Sequence, residues 1–276
     1  MKHIVCYSGG IESALAAIEV VRKYGRKNVI LVNHNICTEA EDPDIKDYKY
    51  NIADYLGLNI EFVTAQETFP HLDPIKTCIE IRAFKVGKGR ELCTAKLKTE
   101  PFMRWLSTHY RPDECVIYYG FTSFENNRCA RRIEAMCKAG WRLDFPLLWW
   151  DRTIYDTAEI GIPRPEHYQI WQHGNCIGCL KAGWQHWYCV YVHRRDRWEL
   201  ARKAEKEIGY TINRRNNLPC LLIEREEEFE VLRRAGLPAT EWIPSGKFWS
   251  MARNLLKNNQ PELNFKEDLR YNEQFD

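Results

Sequence analysis

A chain of 276 residues that is 45% hydrophobic and 28% charged has enough apolar material for one large α/β unit with an appendage, or for two small domains. A fibrous or wholly disordered polypeptide is excluded. Its 40 Lys and Arg nearly cancel 38 Asp and Glu, leaving a net charge of +2, so charge alone announces no nucleic-acid partner. No apolar run approaches the roughly 20 residues that span a bilayer. The first strand-like run begins at His3, which leaves no space for a secretory leader. The expectation is a cytoplasmic protein that does not associate with membranes. Eleven Cys, an odd number, then read as reduced thiols, most of them small buried hydrophobes and some metal-bound.

In chain order, β-branched runs alternate with amphipathic helical patterns, the signature of a parallel sheet built from crossover units. Strands are predicted at His3 to Tyr7, Val29 to Asn33, Ile60 to Thr64 and Cys115 to Gly120, with helices over about Glu12 to Tyr24, Asp44 to Leu56 and Pro101 to Tyr110. Ala14, Leu15, Ile18 and Val21 recur at helical spacing, as do Ile52, Ala53, Tyr55 and Leu56 before Gly57. From about Arg142 the pattern changes to an irregular segment rich in Trp and Pro that leads into a Cys pair. Asp196 to Ile208 and Glu224 to Ala235 read as helices with solvated charged faces, Cys220 as a buried strand-like position, and the tail after Leu263 as polar. The expected division is residues 1–160, a nucleotide-binding α/β domain, and 161–276, the Cys-bearing region with a mainly helical C-terminal appendage.

The sharpest local signal is Ser8-Gly9-Gly10-Ile11-Glu12-Ser13, where the first strand turns into the first helix. Two glycines allow close backbone approach, the helix N-terminus favours an anion, and the serine hydroxyls add donors, so the loop is predicted to cradle phosphate. The alternative is a tight turn with a serine cap. The Gly spacing fits neither a Walker loop nor a dinucleotide fingerprint. Ser8-Gly9-Gly10-x-x-Ser13 is similar to the pyrophosphate loop of the adenine nucleotide alpha hydrolase superfamily, also called the PP-loop ATP pyrophosphatases. Further segments resemble its phosphoadenosine phosphosulfate (PAPS) reductase-like family: Cys93-Thr94, Leu97-Lys98 and Pro101; Gly120, Glu125 and Arg128; Phe145-Pro146-Leu147 and Trp150. They follow the family's order across roughly residues 1 to 180.

The resemblance implies a doubly wound, mostly parallel α/β sheet with helices on both faces, and an adenine nucleotide held through its phosphates at the glycine pair, with Ser8, Gly9, Gly10, Ser13 and Glu125 as the nucleotide-binding residues. Cys93, Lys98 and Arg128 are then the candidate catalytic residues. Two departures stand out. Ile11 and Glu12 replace a Lys-Asp pair common in sulfur-transfer and ligase members, leaving Lys98, Arg128 and Arg131 to supply positive charge. The last Cys is Cys220, whereas thioredoxin-dependent reductases of the family use a Cys near the C-terminus.

Cys176-Ile177-Gly178-Cys179 lets two thiolates converge on one metal or cluster. With Cys93 they make a three-thiolate, open iron–sulfur arrangement of the [4Fe-4S] kind, and Cys189 would close a four-thiolate site. Four-thiolate zinc, a dithiol/disulfide pair and two merely buried Cys are the alternatives. His173 and His186 flank the pair and more readily hydrogen-bond locally than ligate. Glu39, Glu41, Asp42 and Asp44, after the second strand, can hold Mg²⁺ against phosphates or simply start a helix. The favoured expectation is ATP-dependent adenylation of an acceptor followed by sulfur transfer, the acceptor being a nucleic acid or a small metabolite. Reductive cleavage of a sulfonucleotide and non-catalytic nucleotide binding are the rivals. The helices beyond Cys189 offer surface for a second substrate or for a second copy in a homo-oligomer.

Overall fold

The computed structural model describes residues 1–86, 90–174 and 176–259; the polar tail after Leu263 lies outside them. Five strands form an all-parallel sheet: β1 (Lys2–Cys6), β2 (Val29–Asn33), β3 (Ile60–Phe62), β4 (Cys115–Tyr118) and β5 (Arg142–Asp144). Their order is β3-β2-β1-β4-β5. The chain therefore winds outward from β1 to β3, returns, and continues from β4 on the other side of β1, an order compatible with a doubly wound fold. β5 corrects the expectation that the chain is irregular from Arg142, since Val116, Ile117 and Tyr118 pair with Arg142, Leu143 and Asp144.

Side chains alternate across the sheet because successive Cβ atoms point to opposite faces. Val5, Leu31 and Tyr118 meet helices α1 (Ile11–Tyr24) and α2 (Pro43–Leu56) on one face through Leu15, Ile18, Tyr48 and Ile52. Ile4, Val32 and Ile117 meet α4 (Glu100–His109) and α5 (Asn126–Cys137) on the other through Phe102, Leu106, Cys129 and Met136. Helix α3 (Pro74–Ile81) precedes α4, and its start is fixed by Asp73, whose carboxylate accepts the Ile75 and Lys76 N–H groups at 2.8 and 3.3 Å ahead of Pro74. A helical run enters α4 from Leu92 and opens into one π-type turn at Ala95–Thr99.

A second core is aromatic and helical. Helices α6 (Trp184–His193), α7 (Arg195–Ile208), α8 (Glu226–Arg234) and α9 (Ser245–Asn259) bury Trp187, Tyr188, Trp198, Phe229 and Phe248 together. This core also takes Ile75, Cys78, Phe84 and Leu92 from the first half of the chain, so it reaches back across the expected division at residue 160. Cys220 is buried in a short antiparallel ribbon, Asn213–Arg215 with Leu218–Cys220. All eleven cysteines are free thiols. Among the described residues no helix is long and apolar enough to cross a membrane.

Candidate functional site at the carboxyl edge of the sheet

The loop expected to cradle phosphate leaves the carboxyl end of β1, beside the point where strand order reverses, the place where open parallel sheets gather ligands. Gly120, just past β4, closes on it: a Cβ there would lie 2.5 Å from the Glu12 carbonyl oxygen and 2.8 Å from Ser13 Cα. Only glycine permits that approach. Within the loop the Ser13 hydroxyl donates to the Gly10 carbonyl at 2.9 Å and accepts from the Ser8 hydroxyl at 3.0 Å and the Gly9 N–H at 3.2 Å. Gly9 takes a φ of +89°, and the Lys49 stem passes where its Cβ would be. Lys49 is buried and donates to Glu41 Oε2 at 2.8 Å and Asn33 Oδ1 at 3.3 Å; burial pulls its pKa down against the pull of Glu41.

Sequence reasoning did not single out Tyr168. Its hydroxyl accepts the Ile11 N–H, the first of α1, at 3.1 Å, and Gly174 of the same segment packs against Gly10. The segment is fastened by His167, whose Nδ1 donates to Asp42 at 2.5 Å and whose Nε2 donates to the His173 carbonyl at 2.9 Å. Both ring nitrogens face acceptors, which favours the protonated ring: burial opposes the charge, and the Asp42 and His173 hydrogen bonds hold its pKa above the ordinary value.

Three members of the acidic run after β2, Glu41, Asp42 and Asp44, are thereby paired within the protein, while Glu39 is exposed. Glu41 faces Lys49 and Lys46, Asp42 faces His167 and Arg194, and Asp44 accepts the Ile45 and His167 N–H groups. Asp42, Asp44 and His167 gather their ligating atoms within 4.8 Å of one another, and in this arrangement their polar atoms are turned toward one another, Arg194 and backbone groups.

Three of the four expected thiol ligands act electrostatically on Lys98. Thiolate charge on Cys176, then on Cys93 and Cys179, raises the Lys98 pKa against the cost of burial. A hydrogen bond from the Cys78 thiol brings Cys93 down to about 7, with Lys98 assisting and burial opposing. Burial pushes Cys176 up and Cys179 up to about 11. Burial, then Lys98, Lys49 and Arg132, lower His34 to about 4 against its hydrogen bond to the Val63 carbonyl. Cys37, which joins Cys93 and Cys176 around Leu97 and Phe69, donates to Asp73 at 3.6 Å. Asp73 forms a bidentate pair with Arg197 at 2.5 and 3.2 Å, both residues 1% exposed or less.

Cys189 is not part of this group. It is fully buried in α6 beside Trp187 and Tyr188, and after burial Glu241 is the main influence raising its pKa, because its helical phase points it into the second core. Glu125 and Arg128 lie past Gly120 and pair with each other at 2.5 Å. Glu125 also caps its turn by accepting the Thr122 N–H, and Arg128 lies over the Phe121 ring at 4.6 Å. Two surface recesses of about 470 Å³ each, one floored by His3, Tyr24 and Tyr118 and the other by Lys23, Trp149 and Trp150, include no residue of the loop or of the Lys98 thiol group. Comparison of the chain with protein-family models, with curated proteins and with solved structures finds no match.

Proposed function

We propose that this protein is a nucleotide-dependent sulfur-transfer enzyme of the PP-loop kind, with an adenine nucleotide-type doubly wound domain. The observation that carries the reading is the packing of Cys93 and Cys176 around Leu97, the neighbour of Lys98 in sequence, with Gly174 of the Cys176 segment packed against Gly10 of the glycine loop; with Cys179 these thiols bear electrostatically on Lys98. Ser8, Gly9, Gly10 and Ser13, together with the positive end of α1, bind the phosphates. Lys98, Lys49 and Arg132 supply the field that replaces the loop lysine, and Mg²⁺ enters with the nucleotide.

The acceptor oxygen attacks the α-phosphorus and displaces pyrophosphate. A persulfide sulfur on Cys93, loaded by a persulfide donor, then attacks the acceptor carbon, the C–O bond breaks and AMP leaves with the bonding pair. Cys176 or Cys179 next attacks the Cys93 sulfur, freeing the thiolated acceptor and leaving a disulfide for an external dithiol to reduce. Three soft thiol donors also fit an iron–sulfur cluster. Among the described residues no three thiols lie within 4.8 Å of one another, whereas a single tetrahedral zinc, with Zn–S near 2.3 Å, draws its sulfurs to about 3.8 Å. Cys93, Cys176 and Cys179 would hold such a cluster, and when bound it would supply sulfide or electrons to the same acceptor.

The Cys78 thiol beside Cys93, which helps bring Cys93 down to about 7, favours a second reading. Cys93 would attack the sulfur of a sulfonucleotide, releasing the adenosine phosphate, and Cys78 would then displace sulfite and leave a Cys78–Cys93 disulfide for an external dithiol. Equilibrium dialysis against ATP with Gly10→Asp as control, followed by product analysis, tests both. The first reading expects binding by the wild type alone, with AMP and pyrophosphate formed when acceptor and persulfide are supplied. Sulfite from a sulfonucleotide would establish the second, and a wild type that binds neither nucleotide would overturn both.

A further inference from the structure

The Cys176–Cys179 turn is held from outside itself. The Ile177 N–H donates to the Ala40 carbonyl at 2.7 Å and the Ile177 carbonyl accepts from Arg197 Nε at 3.3 Å. The next two N–H groups, of Gly178 and Cys179, both donate to one atom, His186 Nε2, at 3.1 and 3.2 Å. A ring nitrogen that accepts two N–H groups bears no proton, so the imidazole proton resides on Nδ1 and is donated to Glu241 Oε1 at 2.6 Å. Glu241 is itself fixed, with Oε2 accepting the Gln172 N–H at 2.9 Å and its own N–H donating to the Ile170 carbonyl at 2.9 Å. Trp171 and Trp187 flank the ring, with centroids 5.0 and 6.0 Å away.

We propose that His186 and Glu241 are a positioning pair that fixes the Cys176–Cys179 turn in its ligand-presenting shape, Glu241 selecting the tautomer and His186 gathering the two N–H groups. Because those N–H groups go to the imidazole, they do not reach the sulfurs; Cys179 is answered by the Lys181 N–H and then Lys98, and Cys176 by Lys98. This deepens the reading of the three thiols as a ligand set and rests on it for its metal arm only.

The test compares wild type, His186→Leu and His186→Gln, whose carboxamide oxygen can replace Nε2 as acceptor, as full-length metal-free protein. The first readout is the iodoacetamide alkylation rate of each Cys, resolved by peptide mass, with exposed Cys137 as internal reference. His186→Leu is expected to raise the Cys179 rate about 10-fold at constant Cys137 rate, and His186→Gln to restore it. The second is Co²⁺ titration followed by its thiolate charge-transfer band, for which loss of an outer-shell partner should weaken affinity about 10–100-fold. If His186→Leu does not fold, Glu241→Ala, which leaves the imidazole in place, carries the same measurements with a smaller expected change. Unchanged Cys179 reactivity in a folded variant, or Cys179 and Cys137 rising together, overturns the pair's role. A wild type that shows no cobalt–thiolate band would sink the ligand-set reading, while the alkylation ratio would still decide whether the pair holds the turn.

Discussion

The glycine loop and the cysteine turn are short connections at one edge of the same sheet, yet they are kept in shape differently. Inside the loop, the hydrogen bonds run among Ser8, Gly9, Gly10 and Ser13, all within the six-residue run from Ser8 to Ser13, with one outside brace from Tyr168 to the Ile11 N–H. The turn instead relies on Ala40, Arg197 and His186, which come from three separate parts of the chain. A locally braced loop can form as soon as its flanking elements do. A remotely braced turn forms only after the second core has docked, and it inherits every weakness of that docking.

The sharpest way to break this comparison is Arg197→Met. It strands the fully buried Asp73 carboxylate and removes the donor to Ile177, and severing a buried pair in this way costs about 3–5 kcal/mol. Urea unfolding should report a loss of that size together with faster alkylation of Cys176 and Cys179; a loss under about 1 kcal/mol would mean that the turn does not depend on the pair. Gly120→Ala strikes the loop from a backbone neighbour outside it. With backbone atoms 2.5 to 2.8 Å from the new Cβ, overpacking of about 1–3 kcal/mol is expected, along with weaker nucleotide binding and unchanged thiol reactivity. Thermal unfolding and equilibrium dialysis would check both, and accelerated thiol alkylation in this variant would show that the two connections are not independent.

The smallest effect concerns Cys93. Its pKa of about 7 lies below that of an ordinary thiol, so the thiolate fraction, and with it the alkylation rate, should rise with pH from 6 to 8 and level off above. In Cys78→Ala the hydrogen bond that stabilises the thiolate is gone, and the midpoint should move to higher pH. A rate profile that is the same in both proteins would remove Cys78 from the account.

These differences in bracing also explain what could be read from the sequence. Central strands β1, β2 and β4 were legible because they are buried β-branched runs, and the loop because its glycine pair falls between a strand and a helix. β5 escaped because Arg142-Leu143-Asp144 is a three-residue edge strand with polar ends that pairs only with β4. Helix α3 left a signal, the Asp73-Pro74 start, that was not used. Cys93, Cys176 and Cys179 follow from spacing and resemblance, and of these Cys93 and Cys176 pack into one cluster around Leu97; Cys189, near them in sequence, is turned into the second core by helical phase. The local hydrogen-bonding role expected of His186 is the one observed, but its partner Glu241, like Tyr168 on the loop, lies too far along the chain for any spacing rule to connect them.

The second core's use of Ile75, Cys78, Phe84 and Leu92 has a practical corollary for anyone wishing to dissect the protein. A fragment ending at residue 160 would present those four side chains to solvent as a sticky apolar patch, and a fragment starting at 161 would lack them. Neither piece should behave as an autonomous folding unit in isolation. Co-expressed, the two pieces should recognise each other through that missing quartet, which makes the chain suited to split-protein complementation rather than to truncation.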